Sequence, residues 1–162
     1  LALAGQPGAG GLVLLPYLDG ERTPNLPDAA GSLHGLRRDN MTPENLARAA
    51  VEGMLCGLAD GLDALRTLGV RVRRVLLVGG GARSDAVRAA APSVFGAPVT
   101  APTPGEYVAL GAARQAAWVL AQSAEPPEWP ASAATVIDGV DAVAGEAIRA
   151  RYTEARRAVH GG

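Results

Sequence analysis

The feature that most constrains this chain is the apolar run Val75-Leu76-Leu77-Val78, which stops at Gly79-Gly80-Gly81 and passes through Ala82 and Arg83 to Ser84 and Asp85. The run has the length and composition of a strand. Three glycines then remove every Cβ from the turn, which frees the backbone for positive φ and lets a flat partner approach the peptide planes. Ser84 is placed to cap a following helix, with Asp85 at the positive end of its dipole. Strand, bare turn and helix start together present amide donors suited to a nucleotide or phosphate. The same residues equally suit a β-to-α connector with no ligand. Two nucleotide motifs are excluded. The GxxxxGK[ST] loop needs a lysine, and all fifteen Lys/Arg positions here are arginine; the GxGxxG fingerprint fails because Ser84 follows Gly79 and Gly81 where a third glycine is needed.

The segments around this turn are read from periodicity and punctuation. Residues 1–10 are rich in glycine and proline and read as a connection entering from something earlier. Leu12 to Leu15 predict a short strand stopped by Pro16, and the Gly20-Glu21-Arg22-Thr23-Pro24 block a structured loop, with a local Glu21–Arg22 pair as its plain reading. The stretch to Asn40 reads as turns, with His34 a loop histidine. Thr42-Pro43-Glu44 is a helix start, and Leu46, Ala50, Val51, Met54, Leu55, Leu58, Leu62, Leu65 and Leu68 recur at spacings of three and four, predicting one long amphipathic helix ended by Gly69. Gly53, Gly57 and Gly61 lie four apart on it, each costing about 1 kcal/mol against alanine, so a close neighbour is expected on that face.

Arg71 to Arg74 read as a solvated strand entry. Pro92 is expected to kink or shorten the helix after Ser84. Ala97 to Thr100 predict a strand with Pro98 at an edge or a strand start. Glu106 could be a ligand contact, but its plainer role is to stabilise the first turn of a helix from about Tyr107 to Gln122, in which Gly111 marks a close packing point. Residues 123–137 have the composition of a linker, and 138–162 read as a helical tail whose basic end suits a helix C-terminus.

Three blocks, Leu14-Leu15-Pro16-Tyr17-Leu18-Asp19-Gly20-Glu21-Arg22-Thr23-Pro24, Val78-Gly79-Gly80-Gly81-Ala82-Arg83-Ser84 and Ala109-Leu110-Gly111-Ala112-Ala113, resemble in that order the C-terminal half of the FGGY carbohydrate kinases. The first two are most similar to the xylulokinase members. The resemblance covers residues 1–122, which it makes a partial FGGY kinase C-terminal domain. It implies an α/β fold, part of the C-terminal lobe of an actin-like ATPase (ribonuclease H-like) fold, with ATP between two lobes and the sugar deeper in the cleft.

It further implies that Gly79, Gly80, Gly81, Ala82, Arg83 and Ser84 line the adenosine side of the ATP site, with Gly53 near the adenine. The catalytic aspartate and the phosphate loops that handle Mg²⁺ lie upstream in the family, so no catalytic or metal-binding residue is expected here, and the chain alone is expected to be inactive. The implied activity is ATP-dependent phosphorylation of D-xylulose, with ATP and Mg²⁺ as cofactors and the metal held mainly by the absent lobe. The implied partners are that N-terminal lobe, ATP and a small sugar; a homodimer stays open. Open too are a non-catalytic nucleotide-binding or regulatory module and a kinase for another sugar or polyol. Pro92, and Val87 where many relatives carry tryptophan, depart from the family pattern.

The bulk properties narrow the field. A content of 48% hydrophobic but only 4% aromatic residues asks for a core of Ala, Leu and Val, and a net charge of −1 gives no general attraction to nucleic acid or anionic membrane. Without lysine there is no Schiff-base chemistry within the chain. Cys56 stands alone, so no internal disulfide or zinc set is available, and a cytoplasmic setting is expected.

Overall fold

In the computed structural model, which describes residues 1–130 and 132–161, the long helix is the organising element. Helix α1 spans Pro43–Thr67, and the Thr42 hydroxyl accepts from the Asn45 amide at 3.2 Å in the N-cap expected of Thr-Pro-Glu. It ends where Gly69 takes φ +82, a left-handed angle that glycine adopts freely. The face it buries coincides only in part with the leucine stripe read from the sequence: Leu55 is in the core, with Val51 and Leu62 packed against it. Arg48, Ala49, Glu52, Gly53, Leu55, Cys56 and Ala59 are buried, while Met54, Leu58, Leu65 and Leu68 are exposed. Spacing identifies an amphipathic helix, but α1 is apolar on more than one side, and only contacts decide which side is covered first.

Strand β1 (Val13–Leu15) lies across α1 and pairs antiparallel with β2 (Ser32–His34). The second strand falls in the stretch expected to be turns alone, and there His34 is held by the Ser32 hydroxyl at 2.8 Å. Gly53 explains the close crossing of β1: a Cβ there would run into the carbonyl oxygen of Leu14. Gly57 faces the Tyr152 hydroxyl at ordinary contact distance, and nothing lies near Gly61. The four-residue glycine spacing is thus used for packing at its first two positions only.

The second sheet has the order β3-β4-β5, with β3 at Val75–Leu76, β4 at Val99–Pro102 and β5 at Ala134–Ile137. β3 and β4 are parallel, joined by α2 (Asp85–Phe95); β5 is antiparallel to β4. Strand β4 is therefore central rather than an edge. Pro98 is tolerated because it precedes the first paired residue, Val99, and so removes no ladder donor. Pro92 sits inside α2 without ending it, and Gly96 stops the helix one turn later at φ +65.

Residues expected as linker supply β5, and the expected tail is α4 (Ala142–His160), packed against α1, α2 and β1. Ile148, Tyr152 and Ala155 of α4 join Leu15, Leu55, Val94 and Phe95 in one core. α4 comes so close to α2 that a Cβ on Gly145 would collide with the Ser93 carbonyl. Arg156 meets Asp60 at 2.5 Å, and Arg149 bonds Asp63, tying α4 to α1 electrostatically. Helix α3 (Tyr107–Ala121) has no buried residue, and Gly111 has no neighbour, contrary to its reading as a packing point. No helix among the described residues is long and apolar enough to cross a membrane.

Candidate functional site

The glycine turn opens a groove of about 240 Å³. One wall is Leu77 to Gly80 with Ala82 and Arg83; the other is Pro102, Pro104, Gly105, Glu106 and Tyr107. The groove exists because β3 and β4 run parallel and both chains leave the sheet at the same end, which is where open α/β sheets carry their ligands. The Tyr107 hydroxyl bonds the Thr103 carbonyl, and Thr103 is anchored to the Ala133 carbonyl through its amide at 2.8 Å, so the second wall is braced against the segment leading into β5.

The turn itself differs in detail from its sequence reading. Only Gly79 takes positive φ, +88, while Gly80 to Arg83 form one 3-10 turn, with Ala82 donating to Gly79 and Ser84 donating to Gly81. Ser84 then caps α2 by accepting from the Val87 amide at 3.4 Å, with Asp85 in the first turn. A Cβ at Gly79, Gly80 or Gly81 would meet nothing within 4 Å. At Gly80 and Gly81, then, neither backbone angle nor internal crowding asks for glycine. The bare surface they make faces open space.

The structure brings Gly79, Gly80, Ala82 and Arg83 together on this wall, with Gly81 and Ser84 in the same turn. Gly53 is elsewhere: it is buried under β1 beside a cavity of about 10 Å³, and no residue of α1 lines the groove. The expected contribution of the α1 glycine face to the wall is therefore replaced by residues 102–107. In the sequence Glu106 reads as a first-turn acid with a ligand contact as the alternative, and Tyr107 reads as the start of the helix alone. Their place in the groove depends on β4 pairing alongside β3, which periodicity cannot show.

The other singled-out residues take structural positions. The Glu21 carboxylate accepts from the Arg22 amide at 2.7 Å and the Thr23 amide at 3.1 Å, so it folds its own loop rather than pairing with the Arg22 side chain. The thiol of Cys56 is pushed up to about 12 by burial, which leaves it an unreactive core group. Burial also holds the Asp60 carboxyl above the usual range against the pull of Arg156 and Arg149, whereas at Asp63 hydrogen bonds from Arg149 and Arg66 outweigh desolvation and hold the carboxyl low.

Glu52 escaped the sequence reading altogether. It is buried, pairs with Arg48 at 2.6 Å and accepts the Gly8 amide at 2.9 Å, fastening the entering segment to α1. An i,i+4 Arg–Glu pair is the only sequence signal for it, and that pattern usually means a solvated face. Among the described residues no three His, Cys, Asp or Glu side chains converge as a metal site.

Residues 1–120 match the family described as the FGGY family of carbohydrate kinases, C-terminal domain. The chain is 42% identical over 134 residues to a xylulose kinase of Streptomyces coelicolor, covering 80% of this chain and 28% of that one. It is 45% identical over 116 residues to a xylulose kinase of Escherichia coli, covering 70% and 23%. The crystal structure of xylulose kinase from Bifidobacterium adolescentis superposes with a TM-score of 0.79 at 51% identity, over 96% of this chain and 30% of that one. The chain thus spans less than a third of the length of these relatives. With three blocks in family order, the parallel β3–α2–β4 unit and the groove at its end, the chain belongs to the FGGY family of carbohydrate kinases, as part of the C-terminal lobe of their actin-like ATPase fold.

Proposed function

We propose that this chain is the C-terminal part of an ATP-dependent xylulokinase, converting D-xylulose and ATP to D-xylulose 5-phosphate and ADP, and that it supplies the adenosine side of the ATP site. The observation that carries the reading is the bare Gly79–Gly80 surface lining the open groove: glycine is required there neither by crowding nor, at Gly80, by backbone angle. A flat base or ribose laid on that surface would use the room a side chain would fill. Arg83 on the same wall and Glu106 opposite offer a cation and a carboxylate for the polar ends of a nucleoside. Gly53 acts here through β1 packing, at a distance from the nucleotide.

Phosphoryl transfer rests on positioning, on charge stabilisation by Mg²⁺ and on a group that takes the hydroxyl proton. In this reading the N-terminal lobe of the same polypeptide supplies the base and the metal-phosphate loops, while this chain holds and orients adenosine. The 162-residue chain alone accordingly turns over no ATP with sugar.

The test is Gly80→Val in the full-length polypeptide. The KM for ATP should rise about tenfold, equivalent to about 1.4 kcal/mol, with the KM for D-xylulose unchanged. Equal rises in both, or no change in either, would remove the nucleotide from this groove. Faster turnover of another sugar or polyol would move the sugar assignment and leave the nucleotide site standing.

A further inference from the structure

The chain has three tyrosines, and two of them, Tyr17 and Tyr152, are core residues whose hydroxyls bond each other at 3.2 Å. Tyr107, the third, is only half-buried. It opens α3, a helix with no buried residue, so no core holds its ring in place. The ring is fixed at its tip instead. Its hydroxyl donates to the Thr103 carbonyl, and the Thr103 amide and hydroxyl both donate to the Ala133 carbonyl, at 2.8 and 3.0 Å. The ring lies beside Gly105, where an added Cβ would stand 3.7 Å from it. Among the described residues that line the groove at the glycine turn, Tyr107 alone is aromatic, and the wall opposite it carries Gly79 and Gly80.

We infer that Tyr107 is the stacking platform for the base of the bound nucleotide, and that it makes the groove favour purine over pyrimidine triphosphates as phosphate donors. The inference deepens the adenosine reading of this groove and rests on it. At about 240 Å³ the groove falls short of the roughly 300–1,000 Å³ of a complete ligand pocket, so it has room for the base end of a nucleotide. A flat base there meets bare peptide on one side and an aromatic ring on the other. Because the Tyr107 hydroxyl is already tied down, stacking on the ring costs little further rotamer freedom. Stacking strengthens with overlap, and a bicyclic purine covers more of a phenol ring than a pyrimidine does. The plain alternative is that Tyr107 only braces the turn at Thr103. The two roles use different parts of the side chain: bracing needs the hydroxyl, and stacking needs the ring.

Steady-state kinetics of the full-length polypeptide with D-xylulose, and with either ATP or UTP as the donor, separate them. Tyr107→Leu fills the same room without a ring. In that variant the ratio of kcat/KM for ATP to kcat/KM for UTP should fall about fivefold, through the KM for ATP and with the KM for D-xylulose unchanged. Tyr107→Phe keeps the ring and loses the brace, and should hold the ratio within about twofold of wild type. A ratio that Tyr107→Leu leaves unchanged overturns the inference, as does a wild-type ratio of about one or less. A ratio that falls as far in Tyr107→Phe as in Tyr107→Leu assigns the residue to bracing and overturns it too. If Gly80→Val raises the KM for ATP while Tyr107→Leu leaves the ratio alone, the nucleotide stays in the groove and only the platform falls. If neither variant touches the KM for ATP, the nucleotide reading falls with it.

Discussion

Two sets of glycines divide the molecule. Gly53 and Gly145 lie where backbone meets backbone: β1 crosses α1 over the first, and α2 presses on α4 at the second. At Gly79, Gly80 and Gly81 an added Cβ would meet nothing within 4 Å. In sequence both sets look like small-residue signatures, yet the first is spent on packing and the second on keeping space open. A glycine pattern therefore shows that a side chain is unwelcome, and its neighbours show whether the protein or something else fills the room.

The sharpest way to break this comparison is to add one methyl group at each kind of site. Gly53→Ala and Gly145→Ala should each cost about 3 kcal/mol, the upper range for overpacking, because the colliding atoms are backbone carbonyls that cannot swing aside. Urea unfolding of the 162-residue chain measures this, and a loss below about 1 kcal/mol would mean that the helices slide apart easily.

A second effect, smaller and dependent on pH, belongs to the packed half alone. Asp63 is held below its ordinary pKa, so the stability it contributes is fully present above the unfolded value of about 4 and is lost as pH falls through the folded value. Asp60, held high, has the opposite sign: its contribution is present below that value and lost as pH rises through the folded one. Asp63→Asn should therefore lower the urea midpoint at neutral pH, and the gap from wild type should close below about pH 4. A gap that widened in acid would reverse the assignment. Asp63 is 42% exposed, so solvent screening keeps the effect modest.

The smallest effect is the most discriminating. Gly80→Ala should change the stability of the chain by less than about 0.5 kcal/mol, since the new methyl meets open space at an ordinary backbone angle. A loss comparable to that at Gly53 would show that the turn is structurally constrained after all and would undercut its reading as a ligand wall.

Much of the architecture was legible because it is written in local chemistry. Thr42-Pro43 and Ser84-Asp85 cap helices where they should, and Gly69 and Gly96 stop them. What stayed hidden is pairing between distant residues. Strand β5 has no signal in a Pro-, Ser- and Ala-rich stretch until β4 offers it an edge, and β2 is equally dependent on β1. The site was half legible for the same reason. Its glycine wall is one continuous segment, whereas Pro102 to Tyr107 become the opposite wall only through the parallel register Val75–Val99 and Leu76–Thr100.

The placement of α4 reaches beyond the finished fold to its making. Ile148, Tyr152 and Ala155 complete a core that otherwise draws on β1, α1, Leu77, α2 and Val99 of β4, so those earlier segments leave the ribosome with an open apolar side. Synthesis proceeds from the N-terminus at about 5–20 residues per second, and the gap between α2 and the middle of α4 therefore amounts to several seconds. Through that interval the nascent chain carries Leu55 and Phe95 uncovered. A stop codon anywhere before α4 would release a polypeptide whose glycine turn is intact and whose core has never closed.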